Sequence, residues 1–87
     1  MKIKEGFKLR KVAGNYIVIA TGKASKEFNG MINLNEVGAF LWEKLAIGST
    51  KEELVNALLG EYEVPSEVAE KDVEAFINKL QGANLVE

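Results

Sequence analysis

The hydrophobic period of this chain changes once, at Asn35, and that change sets what the chain can become. Before it, Phe7-Lys8-Leu9-Arg10 alternates apolar and cationic residues, the period of a half-buried strand. Ala13-Gly14-Asn15 supplies turn chemistry, because Gly and Asn tolerate positive φ at low cost. Tyr16-Ile17-Val18-Ile19-Ala20 then continues in β-branched and aromatic residues, so the pattern predicts a hairpin over 7–12 and 16–21. A continuously apolar second strand implies a central position in the sheet, or cover on both faces. The polar stretch Thr21–Asn29 reads as a loop, Asn29-Gly30 as a turn, and Met31-Ile32-Asn33-Leu34 as a short third strand at the sheet edge.

Beyond Asn35 the spacing becomes helical. Val37, Phe40, Leu41 and Leu45 form one stripe, with Asn35 placed to cap the first turn and Gly48 to close the last. Thr50-Lys51-Glu52-Glu53 is a capping box, opening a second helix that runs to about Tyr62 with Leu54, Val55, Leu58 and Leu59 inward. Pro65 suits the start of a third helix, with Ser66 a competing N-cap. That helix aligns Ala69, Val73, Phe76, Ile77 and Leu80 and ends near Gly82, leaving Leu85-Val86 with apolar surface to bury. Three strands cannot bury their apolar face alone, and neither can three short helices. Together they predict one α+β domain spanning residues 1–87, a three-stranded antiparallel sheet followed by three helices.

Histidine and cysteine are both absent. Zinc fingers, protein-ligated iron–sulfur clusters, thiol nucleophiles and Ser-His-Asp triads therefore each lack a member. No disulfide can form, which fits a cytoplasmic location. The N-terminus has no apolar segment behind its lysines and reads as no signal peptide, and no apolar run approaches the ~20 residues of a membrane span. The remaining acid pairs, Glu52/Glu53, Glu61/Glu63 and Glu70/Asp72/Glu74, lie on exposed helix faces or termini, where nothing raises a carboxyl pKa for catalysis. No glycine pattern matches a phosphate cradle or an EF-hand loop, and no serine sits in the Asp-Ser-Leu setting of an acyl carrier protein. These observations predict a non-enzyme without metal or cofactor.

Charge is unevenly spread. Residues 1–26 carry seven cations and one anion, whereas residues 27–87 carry four lysines and twelve acids. The bland reading is solvation of strand and helix surfaces; the sharper one is a protein with two electrostatic faces. Three helices and a small sheet also suit a winged-helix nucleic-acid-binding or regulatory domain. A recognition helix should be basic, however, and the third helix sets Glu67, Glu70, Asp72 and Glu74 against Lys71 and Lys79. Of the aromatic residues, most read as core, and Trp42 reads as core or as part of a docking surface.

The third strand lacks the lysine or proline that blunts a sheet edge. An open edge beside an amphipathic helix suits capture of an extended peptide by strand addition. The alternatives are cover by the 21–29 loop or by homodimerisation.

Gly6-Phe7-Lys8-Leu9-Arg10, Met31-Ile32-Asn33-Leu34-Asn35, Ala39-Phe40-Leu41-Trp42, Gly48-Ser49-Thr50 and the tail Asp72-Val73, Phe76-Ile77, Leu80, Leu85-Val86-Glu87 together resemble the PqqD-like family, over almost the whole chain. The resemblance implies a winged-helix-like peptide-recognition domain of ribosomal-peptide modification. Such a domain binds the leader of a precursor peptide as an antiparallel strand on its third strand, beside its third helix. It delivers the precursor to a modifying enzyme, often a radical S-adenosylmethionine (radical SAM) enzyme. In this chain the cleft then maps to Gly30, Met31, Ile32, Asn33 and Leu34 on one side. On the other it maps to Val68, Asp72, Ala75, Phe76 and Lys79, which share a helical flank. The features around the second strand that accompany pyrroloquinoline quinone assembly are not seen here, which points to a different precursor. Proline at Ile32 is the natural probe of the edge, provided that residue's amide faces outward.

Overall fold

A computed structural model describes residues 1–22 and 31–87. The elements run β1 (Phe7–Val12), β2 (Asn15–Ala20), β3 (Ile32–Leu34), α1 (Glu36–Ala46), α2 (Lys51–Glu61) and α3 (Ser66–Gly82). The sheet is antiparallel in the order β1-β2-β3, so the apolar second strand is central, as its composition requires. The loop Thr21–Asn29 lies outside the described residues beyond Gly22, as do the Asn29-Gly30 turn, Ser25 and Phe28.

The hairpin is tighter than the pattern suggests. Val12 pairs with Asn15, leaving Ala13 and Gly14 alone in the turn, with φ +52° and +81°. Positive φ at both central residues is what a two-residue hairpin demands, because only that backbone twist matches the twist of the flanking strands. Asn15 therefore joins β2 rather than the turn, and Ala13 occupies a left-handed conformation that costs a residue with a Cβ about 1–2 kcal/mol.

The sheet faces divide by chemistry. Val18 and Leu34 are buried, and Phe7, Leu9, Tyr16 and Ile32 pack beside them on the core. Lys8, Arg10 and Asn33 are exposed on the opposite face, where Ile17 and Ile19 are half-buried. Leu41, Leu45, Leu54, Leu58, Val73 and Leu80 fill the centre, each 1% exposed or less. Trp42 is buried with them, which settles it as core.

Helix ends follow the local chemistry. Asn35 caps α1, its Oδ1 accepting from Gly38 N at 2.7 Å, and Gly48 turns the chain at φ +93°. Thr50 and Glu53 form the reciprocal capping box. Pro65 is the N-cap of α3 without a side-chain bond, so Ser66 is the first helical residue rather than the cap. Two details depart from the helical pattern. Leu59 is 36% exposed, because α2 meets α3 through the narrow Leu54/Leu58 stripe and Leu59 falls on its flank. At the end of α3, Asn84 and not Gly82 takes the left-handed turn, at φ +61°. Leu85 N then donates to Leu80 O and Asn84 N to Gln81 O, the Schellman arrangement. Leu80 and Leu85 are both fully buried, and burial of each contributes about 1.5–3 kcal/mol.

The end of the chain returns to its start. Ile3 and Val86 form an antiparallel bridge, Lys4 N donates to Leu85 O, and Glu87 N donates to Lys2 O. This pairing buries the apolar tail. Among the described residues no helix is long and apolar enough to cross a membrane.

Candidate functional site: the β3 edge and the α3 cleft

The direction of each backbone group on β3 follows from the hairpin. In an antiparallel pair, residues alternate between exchanging both backbone hydrogen bonds and exchanging none. A two-residue hairpin closes on a hydrogen-bonded pair, here Val12 and Asn15. Alternation makes Arg10–Ile17 and Lys8–Ile19 the next bonded pairs, so Ile17 and Ile19 direct their N–H and C=O towards β1. Tyr16 and Val18 consequently direct theirs towards β3, where they meet Leu34 and Ile32. The backbone of Asn33, between these two, points away from the sheet.

An independent contact agrees with this parity. Lys79 Nζ, on α3, donates to Asn33 O at 2.8 Å, which requires that carbonyl to face away from β2. Ile32 accordingly spends its amide on β2, so proline there would break the sheet rather than block its edge. Asn33 is the position that tests the edge. The sequence pattern marks the strand but not this parity, which depends on where the preceding turn closes.

β3 leans on the first turns of α1, and α3 stands off from it. The gap is a cleft of about 240 Å³ lined by Leu34, Asn35, Val37, Gly38, Leu41, Asp72, Ala75, Phe76 and Lys79. An apolar cavity of about 150 Å³ accepts a benzene ring, so this one has room for a large apolar side chain. Gly38 sits where α1 approaches β3: a Cβ there would lie 3.3 Å from both Leu34 Cβ and Asn35 Oδ1. Its lack of a side chain lets α1 approach β3 closely.

Of the residues predicted for the site, Leu34, Asp72, Ala75, Phe76 and Lys79 line the cleft. Asn33 joins through its bond to Lys79. Met31 is 68% exposed, next to β3. Ile32 is half-buried against the core. Val68 is 42% exposed and does not line the cleft, being a full turn N-terminal to Asp72 on α3. Gly30 lies outside the described residues. Sequence reading missed the contribution of α1: Val37, Gly38 and Leu41 form one wall, and only the glycine within a helical stripe hinted at it.

The cleft carries one carboxylate, Asp72, and one ammonium, Lys79, two turns apart on α3. Among the described residues no group of three or more metal-ligating side chains converges. The one phenol held above its ordinary pKa, Tyr62, is raised by partial burial and then by Glu36 and Glu61. It packs edge-on against Phe40 with ring centroids 5.7 Å apart, outside the cleft.

Among the described residues, three antiparallel strands followed by three helices, with β3 at the sheet edge beside a helix-walled cleft, make an α+β fold of the winged-helix-like kind. Residues 15–86 match the family described as coenzyme PQQ synthesis protein D (PqqD), and the chain belongs to that family. It is similar in structure to TbiB1 in complex with the TbiA(β) leader peptide, with a TM-score of 0.78 and 25% identity, covering 100% of this chain and 95% of that one. It also shares its fold with lasso peptide synthetase B1 complexed with the leader peptide, with a TM-score of 0.76 and 19% identity, covering 99% and 95%. No curated relative matches the chain.

Proposed function

We propose that this chain is a non-catalytic module that captures the leader segment of a ribosomally made precursor peptide and delivers it to a modifying enzyme. The leader adds to β3 as an antiparallel fourth strand, bonding through Asn33, and seats an apolar side chain in the cleft beneath α3. The observation that carries this reading is the outward-facing Asn33 backbone beside an apolar cleft. The likeness to a protein solved with its leader peptide supports it.

Residues 1–87 act as a single recognition domain in this reading, and the site comprises Met31, Ile32, Asn33, Leu34, Asp72, Ala75, Phe76 and Lys79. A radical SAM enzyme is the partner that membership of the family favours. A leader that is disordered when free loses conformational entropy on docking, so ladder hydrogen bonds and buried side chains must exceed that cost. Once docked, tethering raises the effective concentration of the rest of the precursor at the enzyme.

The test is an isotope-labelled sample titrated with the leader of a precursor encoded beside this gene. Amide shifts confined to Met31–Leu34 and the Asp72–Lys79 stretch are the expected result. Absence of binding by every locally encoded precursor would remove the reading.

A further inference from the structure

Lys79 is the one described side chain that bridges the cleft to the edge backbone. Its ammonium caps Asn33 O, the acceptor that a docking strand needs for its own amide. Among the described residues the one ion pair is Lys51–Glu74, at 3.7 Å, so Lys79 is held by a neutral carbonyl and by no carboxylate. The bond to Asn33 O is already charge-assisted through the ammonium, and a carboxylate adds an attraction between two full charges that a neutral carbonyl lacks. A peptide that supplies a carboxylate here would release the carbonyl for its own backbone and give the ammonium a better partner.

We propose that Lys79 is a specificity-determining residue that selects leaders with an acidic side chain next to the Asn33 rung. The inference rests on the strand-capture reading above and adds a sequence rule to it. In an antiparallel fourth strand, the peptide residue opposite Asn33 turns its side chain to the outer face, as Asn33 does. The preceding peptide residue lies opposite Leu34 and the following one opposite Ile32, and both turn inward towards α3. The apolar cleft is on the Leu34 side, with neither Met31 nor Ile32 in its lining. Lys79 lines that same cleft and bonds Asn33 O, so the two inward residues flanking the Asn33 rung are within its reach, one apolar and seated in the cleft, the other carrying the carboxylate. The chain recognises an apolar residue and an Asp or Glu two positions apart.

A random short-peptide display library, selected separately on the unchanged protein, Lys79→Met and Lys79→Glu, tests this. Lys79 is exposed, so both variants should fold, and circular dichroism checks that they do. The unchanged protein should enrich an apolar residue and an acid two positions apart. Lys79→Met should keep the apolar preference and lose the acidic one, and Lys79→Glu should shift that position to Lys or Arg. For an enriched peptide, replacing the acid by its amide should weaken binding roughly threefold, typical of an exposed charge pair. The same replacement should change nothing with Lys79→Met. Binders that show no acid preference, or the same one in all three proteins, would overturn the role of Lys79 and leave strand capture standing. A library that yields no binder shifting Met31–Leu34 amides would overturn both.

Discussion

β1 and β3 bound the same three-stranded sheet and manage their exposed backbones in opposite ways. β1 is six residues long and carries Lys8, Arg10 and Lys11, charges that discourage another strand from pairing. β3 is three residues long, carries no charge, and has α3 standing beside it across an apolar cleft. Its edge carbonyl at Asn33 is held by a side chain that can swing away. Protection on one side is permanent and on the other reversible. A sheet edge thus becomes a binding site when the means of covering it can be displaced.

The largest effect should come from proline substitutions on β3, read by parity. Ile32→Pro removes a ladder bond to β2 and leaves a partner unsatisfied, so denaturant unfolding should show a loss of about 1–3 kcal/mol. Asn33→Pro removes an amide that faces outward, so the fold should survive while leader binding falls at least about tenfold, the equivalent of one charge-free hydrogen bond lost. Equal destabilisation by the two would break the parity on which the contrast between the edges rests.

Filling the cleft comes next. Ala75 is exposed on α3 and lines the cleft, so Ala75→Phe should occupy the space meant for a peptide side chain. Stability should stay within about 0.5 kcal/mol, as for surface changes generally, while calorimetric titration shows a severalfold loss of peptide affinity. Unchanged affinity would separate the edge from the cleft.

The smallest effect belongs to the β1–β2 turn. Ala13→Asn places a residue suited to positive φ before Gly14 and should add about 0.5–1 kcal/mol. In a domain of this size that raises Tm by roughly 2–8 °C. Peptide binding should not change, since the turn belongs to the protected side of the sheet.

The element order was legible because each element's apolar spacing matched its own period. The capping box at Thr50 and the buried stripe of α3 could be read directly from residue type. The pattern places Asn15 in the turn because of its turn chemistry, whereas the strands pair tightly enough to recruit it into β2. That one residue decides the parity of every backbone group on β3, which no residue type encodes. Val68 shares a helical flank with Asp72 but stands a turn beyond the residues that line the cleft, because a flank continues past what it faces. Gly82 is the more obvious helix stop in the sequence, whereas the burial of Leu80 and Leu85 sets the left-handed turn two residues later, at Asn84.

The bridge between Ile3 and Val86 brings the first and last residues into register with each other. A circular permutant is therefore within reach: a short linker would join the two, and new ends could be opened at Ala13-Gly14, where the backbone is exposed and strained. Such a rewired molecule would keep every strand neighbour while moving its fusion points to the hairpin tip.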